Sequence, residues 1–387
     1  MLRVFLKLGL SSFGGPIAHI GYFREEFVVR RRWLDDDAFS DLVALCQFLP
    51  GPASSQLGFT IGLMRAGFRG AMAAWLGFTL PSALAMLLFA YGALALRGSF
   101  GVGLLHGLKL VAVAIVAQAV IGMARTLCPD RQRASIAGIA ALIVLLSMPP
   151  AGPIAAILFG GMAGLWLCRA CATAATTAVA VPVSRCAGIG SLAVFALLLV
   201  GLPLLRADGA SPAIALFEAF YRSGALVFGG GHVVLPLLRD AFVTPGWVSD
   251  DGFLAGYGAA QALPGPLFTF AAYLGAIVKP TPHGAVGAAL GLVGIFLPGL
   301  LILLGALPFW EALRARAGAQ DAIRGVNAAV VGILGAALYN PVWSSTVETT
   351  ADFSAVLIGL ILLVRWRTPP LLVVVGGALT GLAFSRL

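Results

Sequence analysis

The sequence predicts an all-α integral membrane protein made of tandem duplicated halves, arranged as inverted repeats with re-entrant or broken helices. Three observations carry that prediction. Hydrophobic residues make up 60% of the 387-residue chain and charged residues only 11%, against about 25% charged in soluble domains. Long apolar stretches bounded by sparse charge recur along the whole length, as in polytopic helical proteins. The chain also repeats itself.

The repeat is read from matches in register. Phe13-Gly14-Gly15 recurs as Phe228-Gly229-Gly230, Arg24-Glu25 as Arg239-Asp240, and Phe27-Val28 as Phe242-Val243. One residue is then lost: Trp33 meets Trp247, Asp36-Asp37 meets Asp250-Asp251, and Gln47 meets Gln261. The tetrapeptide LPGP stands at Leu49–Pro52 and again at Leu263–Pro266. Further on, LPSAL at Leu80 resembles LPGLL at Leu297, and HGLKLVAVAIV at His106 resembles RGVNAAVVGIL at Arg324. The expected units are a first transmembrane repeat over 1–169, a connector with one helix over 170–214, and a second, inverted repeat over 215–387.

The elements follow in order. MLRVFLKLGL is too short and interrupted for a cleaved signal peptide, so it belongs to the fold. Residues 2–34 are broken at FGGP and residues 38–64 at PGP. Each arm of about 12 residues makes roughly 18 Å of helix, too short for a ~30 Å hydrocarbon core. Four long apolar segments come next, at 71–96, 102–124, 134–149 and 152–168. The second half offers 285–309, 321–339, 353–364 and 369–385. Between the halves one unpaired segment, 188–205, inverts the second half relative to the first, an arrangement common in secondary transporters.

Charge bears on how the broken segments run. With both as re-entrant hairpins, most of the 25 Lys and Arg residues fall on one side, including Arg30–Arg32, Arg65, Arg69, Arg131, Arg133, Arg314, Arg316, Arg365 and Arg367. Arg97, Arg206, Arg222, Arg239, Lys279 and Arg386 fall on the other. The positive-inside rule then favours nine crossings plus four hairpins, with the N-terminus in the cytoplasm; thirteen spans is the alternative. The same rule accounts for the net charge of +9 without nucleic acid, because no basic run interleaves with aromatics. Five cysteines make no disulfide framework, and Cys168–Cys171 is a lone C-x-x-C that marks no metal site.

The breaks carry the chemistry. Non-helical backbone at membrane depth survives only where protein or water satisfies it. Glycine permits the tight reversal, and proline can open the next arm without losing a helical bond. The first N–H groups of each following arm are left pointing at the tip, with the positive dipole end behind them. Such a place attracts anions; the bland alternative is that Gly and Pro merely kink packed helices. Lys7 and Arg222 each precede their Phe-Gly-Gly by six residues and are expected on an anion pathway, with snorkelling to the interface as competitor. Gln47, Gln261, Ser54, Ser55 and Thr269 supply neutral donors suited to an oxyanion that must be released. His19 and His232 do not align, so neither is expected to shuttle protons. Glu25 and Asp240 align; an ion pair involving Arg24 or Arg239 is expected there rather than a coupling proton. Glycine-rich stretches such as FGGMAGLWL at Phe159 suit a homodimer or only neighbouring helices.

SSFGGPIAHIGYFREEFVVRRRWL, ALCQFLPGPASSQLGFTIG and GFTLPSALAML resemble the first-half signature of the chromate ion transporter (CHR) family. FGGGHVVLPLL and GYGAAQALPGPLFTFAAYLG resemble its second-half signature. The resemblance implies efflux of chromate from the bacterial cytoplasm across the inner membrane, driven by the membrane potential or an ion gradient. It assigns function to Phe13, Gly14, Gly15, Pro16, Gln47, Pro50, Gly51, Pro52, Ser54, Ser55 and Gln56. Their partners are Phe228, Gly229, Gly230, Gln261, Pro264, Gly265, Pro266 and Thr269. With almost nothing before Arg3, no regulatory extension is expected. The residues alone stop at an inverted-repeat transporter for a small anion: sulfate, a tetrahedral dianion like chromate, and an anion channel both stay open. An enzyme is disfavoured, because H-E-x-x-H, G-x-S-x-G and Walker patterns do not occur, and no cofactor is expected.

Overall fold

Helices form where the apolar runs stand, and they stop at glycine, proline or an acidic cap. A computed structural model describes the chain except for residues 14, 96–98, 148–150, 169–182, 208–210, 229–230, 315 and 385–387. Among the described residues there is no strand. Helices α1 (Leu2–Ser11) and α2 (Gly15–Arg24) flank the first Phe-Gly-Gly, and a π-turn over Glu25–Arg30 ends the second arm. MLRVFLKLGL is thus α1, with Phe5 and Leu8 buried. Helix α3 (Asp36–Phe48) is capped by the Asp35 carboxylate, which accepts from the Ala38 N–H at 2.7 Å. Helix α4 (Ala53–Ala95) starts after Pro-Gly-Pro and is broken at Ala66-Gly67, where Gly67 has φ +61°. Residues 53–65 are therefore an arm, and 68–95 are the first long helix.

The remaining helices are α5 (Ser99–Leu127), α6 (Arg131–Leu146), α7 (Ala151–Leu167), α8 (Arg185–Ala207), α9 (Pro212–Ala225), α10 (Val234–Phe242), α11 (Asp250–Ala262), α12 (Phe270–Ile277), α13 (Gly284–Ala306), α14 (Trp310–Arg314), α15 (Ala317–Ala337), α16 (Thr350–Val364) and α17 (Pro370–Phe384). The apolar segments expected as spans coincide with 68–95 of α4 and with α5, α6, α7, α8, α13, α15, α16 and α17. Among the described residues five stretches suffice, by length and composition, to cross a membrane: Ala53–Gly92, Gly103–Leu127, Arg185–Arg206, Gly284–Phe309 and Ala317–Asn340. The first of these runs through the break at Ala66-Gly67.

Each broken segment is a helical hairpin. Phe5 of α1 packs on Phe23 of α2 and on Phe27 just beyond it, with ring centroids 5.8 and 5.2 Å apart. Arg65, at the end of the second hairpin, lies 5.2 Å over the Trp33 ring at its start. In the second half Phe220 of α9 meets Phe242 of α10 at 4.4 Å. Tyr273 of α12 donates its hydroxyl to Gly252 O of α11 (2.8 Å), and the Lys279 N–H donates to Trp247 O (3.1 Å). The last of these hairpins therefore returns to the residue from which it set out.

Helix α13 reaches from the hairpins of one half to those of the other. Its start lies against the end of the α11–α12 hairpin, where Gly287 packs on Gly275. Just past its other end, Trp310 donates its indole N–H to Asp41 of α3 at 3.2 Å. Twenty-three residues of helix separate these places, about 34 Å at 1.5 Å per residue. Trp33 and Trp247, equivalent in the repeat, thus mark opposite ends of the molecule. Helix α8, between the two halves, runs alongside: Gly188 meets Pro308 at one end, and Arg206 stands over Trp247 at the other. The glycine face of α7 is used within the chain, because Gly160 and Gly164 both pack on Gly325 of α15.

Candidate functional site

The two LPGP tips reverse on glycine for backbone reasons. Gly51 has φ +121° and Gly265 φ +97°, conformations that L side chains resist. Both are also crowded. A Cβ on Gly51 would stand 2.9 Å from Gly299 Cα, and one on Gly265 would stand 2.7 Å from Ser82 Oγ and 3.3 Å from Phe78 O. Ser82 and Gly299 are the middle residues of LPSAL and LPGLL. Each half therefore presses its second tip onto the first long helix of the other half.

The tips also bond across the halves. The Gly51 N–H donates to Val227 O at 2.7 Å, and the Gly265 N–H donates to Ser12 O at 2.9 Å. Ser12 and Val227 are the residues immediately before the two Phe-Gly-Gly motifs. The two bonds are equivalent under the repeat, so all four tips meet in one place with local two-fold symmetry.

The side chains there are polar, buried and incompletely partnered. His19 is fully buried; its Nε2 lies 3.2 Å from Ser12 O, its Nδ1 3.3 Å from Ser54 Oγ, and its ring packs edge-on against Phe78. Gln56 Nε2 donates to Pro50 O and Gly299 O, each at 2.9 Å. Thr269 Oγ1 donates to Pro266 O at 2.8 Å. Ser12 Oγ, Ser55 Oγ, Gln56 Oε1 and Thr79 Oγ1 are buried without a hydrogen-bond partner. Each such atom costs about 1–3 kcal/mol when nothing satisfies it, and native folds seldom gather several together. Three of the four can donate, and the opening N–H groups of the 53–65 arm add to them. Among the described side chains this lining is rich in donors and holds no cation, which suits an oxyanion.

The other residues singled out in the sequence lie around this meeting point or away from it. Phe13 and Phe228 are half-buried beside the tips, and Gly15 opens α2 with φ +76°. Gly14, Gly229 and Gly230 lie outside the described residues, as does Cys171, whose partner Cys168 is buried. Pro52 and Pro266 are buried, Pro50 and Pro264 half-buried. Gln47 is exposed whereas its equivalent Gln261 is half-buried. Lys7 is exposed on the stripe of α1 that carries Leu6 and Leu10. Arg222 is held by Glu218 (2.7 Å), a nearly buried carboxylate that also takes Arg206 at 2.8 Å. Glu25 is exposed, and the repeated arginines pair elsewhere: Arg24 with Asp36 (2.7 Å) and Arg239 with Asp250 (3.0 Å).

Sequence reasoning missed Ser12, Thr79 and Ser82, although the first adjoins Phe-Gly-Gly and the others lie in or beside LPSAL. It also missed Glu218 and Asp41, which have no acidic counterpart in the other half.

The sequence profile of the chromate transporter family matches twice, over residues 1–165 and 214–382. The chain belongs to the chromate transporter family. The chromate transport protein of Pseudomonas aeruginosa is 30% identical over 383 residues, covering 96% of this chain and 88% of that protein. A probable chromate transport protein of Synechococcus elongatus is 26% identical, over 99% of this chain and 95% of its own length. The chromate transport protein of Cupriavidus metallidurans is 25% identical over 99% and 92%. No solved structure matches. As in the sequence reading, this chromate transporter family member is an all-helical, multi-pass membrane protein of two repeated halves.

Proposed function

We propose that this protein exports chromate from the bacterial cytoplasm across the inner membrane as a secondary carrier, with the oxyanion held where the four hairpin tips meet. The observation behind this reading is the crossed pair of tip bonds, Gly51 to Val227 and Gly265 to Ser12, set among buried donors without partners. Hydroxyl and amide donors surround a tetrahedral dianion without fixing a cation against it, which keeps release affordable. The hairpins are taken as re-entrant, entering from opposite faces, with the Arg30–Arg32 end in the cytoplasm. Rocking one set of tips against the other would expose the site alternately to each face.

Neutral donors read the shape and charge of a tetrahedral dianion rather than its central atom, so sulfate transport is the second reading. The test is uptake of labelled chromate and sulfate into inverted vesicles containing the purified protein, with and without an imposed proton gradient. Saturable chromate uptake that exchanges with unlabelled chromate is expected. Flux that neither saturates nor exchanges means a channel, and sulfate taken up in preference to chromate reverses the substrate assignment. Single cysteines replacing Arg31 and Arg69 should both label from the cytoplasm only; periplasmic labelling at Arg31 means thirteen spans.

A further inference from the structure

A dianion held at the tips, as proposed above, stands uncompensated among buried neutral groups. Bringing charge into a low-dielectric site without a counter-charge is costly, and one buried group at the tips is able to supply one. His19 is that group. It is fully buried between α1 and the 53–65 arm of α4. Ser12 O, Ser54 Oγ and the Phe78 ring touch it, and none is charged. The elements packed around it carry Arg3 and Lys7 on α1, Arg24, Glu25 and Glu26 on its own arm, Asp36, Asp37, Asp41 and Cys46 on α3, and Arg65 and Arg69 on α4. None of these bonds to His19. They sit at the far end of the hairpins or on exposed faces, save Asp41, which takes the Trp310 indole, and buried Cys46.

The bonds fix the tautomer. A backbone carbonyl only accepts, so Nε2 carries the hydrogen that bonds Ser12 O, and Nδ1 of the neutral ring presents a lone pair. Nδ1 therefore accepts the Ser54 hydroxyl, which spends that donor on the ring. Protonation reverses the arrangement. Nδ1 then donates to Ser54 Oγ, and the hydroxyl hydrogen rotates away, free to donate elsewhere. Ser55 Oγ, next along the chain, is already without a partner.

We infer that His19 and Ser54 form a proton-linked donor switch: an anion arriving at the tips draws one proton from solvent onto His19 Nδ1, and the released Ser54 hydroxyl turns to the anion. This rests on anion binding at the tips. One N–H bond forms, the Ser54 O–H bond stays intact, and the tips gain one positive charge for each dianion bound. His19 touches the anion only through Ser54 and is a positioning residue. The repeat supplies one switch rather than two, since the equivalents of His19 and Ser54 are Val234 and Phe268. The proton count is therefore one per anion.

The test is calorimetric titration of chromate into the purified full-length protein at about pH 8, where chromate is a dianion, in two buffers of different ionisation enthalpy. The wild-type protein should take up close to one proton per chromate. His19→Gln should bind with no proton uptake and roughly tenfold more weakly, as for a lost counter-charge worth about one pH unit of linkage. Ser54→Ala, which keeps the imidazole, should lose affinity several-fold and take up less than a full proton. Chromate binding without proton uptake in the wild type, or uptake that persists in His19→Gln, overturns the switch and leaves the tip site standing. If His19→Gln does not insert, unchanged affinity and proton count in Ser54→Ala overturn the switch. Failure of chromate to bind at all removes the tip site and the switch together.

Discussion

At the first-half tips His19, Ser54, Ser55, Gln56 and Thr60 are all buried polar residues; at the equivalent positions of the second half stand Val234, Phe268, Thr269, Phe270 and Leu274. Yet the backbone treats the two sides alike. Gly51 and Gly265 have similar positive φ, press on equivalent helices and donate to equivalent carbonyls. Duplication copied a backbone device whose bonds need no particular side chain. Side chains were then free to diverge, and the polar work gathered on one side of a symmetric frame. A substrate that lies on the pseudo-two-fold axis sees symmetric N–H geometry and asymmetric chemistry.

Substitutions at the glycines test the symmetric part and should have the largest effect. Gly51→Val and Gly265→Val each force a side chain into disfavoured backbone, at about 1–3 kcal/mol of strain, and into a crowded contact. Gly51→Val should abolish chromate flux per inserted protein, since its nearest obstacle includes the Gly299 backbone. Gly265→Val should be nearly as severe, with some relief from rotation of Ser82. Normal flux in both would reduce the breaks to kinks.

The asymmetric part predicts a different pattern. Gln56→Leu removes two bonds at once; the Pro50 carbonyl, outside any helix, loses its donor at about 1–3 kcal/mol, whereas Gly299 O loses only a second bond, since it lies within α13. Thr269→Val, its neighbour across the repeat, removes one bond to Pro266 and should lower the melting temperature in detergent by less than half as much. Equal effects would mean that the two tips carry equal polar loads. Smaller still are the repeated ion pairs. Asp250→Asn should cost about 1 kcal/mol and Asp36→Asn a few tenths, because the Arg24–Asp36 pair is the more exposed and exposed pairs are worth about 0–1 kcal/mol. Lys7→Gln should have the least effect on transport. Its exposure beside Leu6 and Leu10 fits snorkelling, so abundance should fall while half-saturation for chromate stays unchanged. A raised half-saturation would put Lys7 on the anion pathway.

The long helices were legible in the sequence because each is bounded within the chain by its own punctuation: Gly67 before the first, Asp130 capping α6, Pro370 opening α17. The hairpin arms were legible as arms because Phe-Gly-Gly and Pro-Gly-Pro interrupt apolar runs too short to cross. What could not be read was which tip meets which. Gly51 finds Val227 and Gln56 finds Gly299 through packing between halves, and no local pattern encodes a partner so far along the chain. The same holds for Lys109 with Asp251 (2.6 Å) and for Arg206 with Trp247. Equivalence under the repeat pointed to Lys7 with Arg222, but one of them acquired an acidic neighbour, Glu218, whose counterpart is Arg3. Charge does not have to follow the duplication when backbone does.

The crossed tip bonds also order events in time. As the chain leaves the ribosome, the Gly51 N–H and Ser12 O emerge long before positions 227 and 265, their partners. Until the second half has been made, these two groups of the first half lack the partners that they have in the fold. Each half is thus the other's chaperone, and neither is a finished object alone.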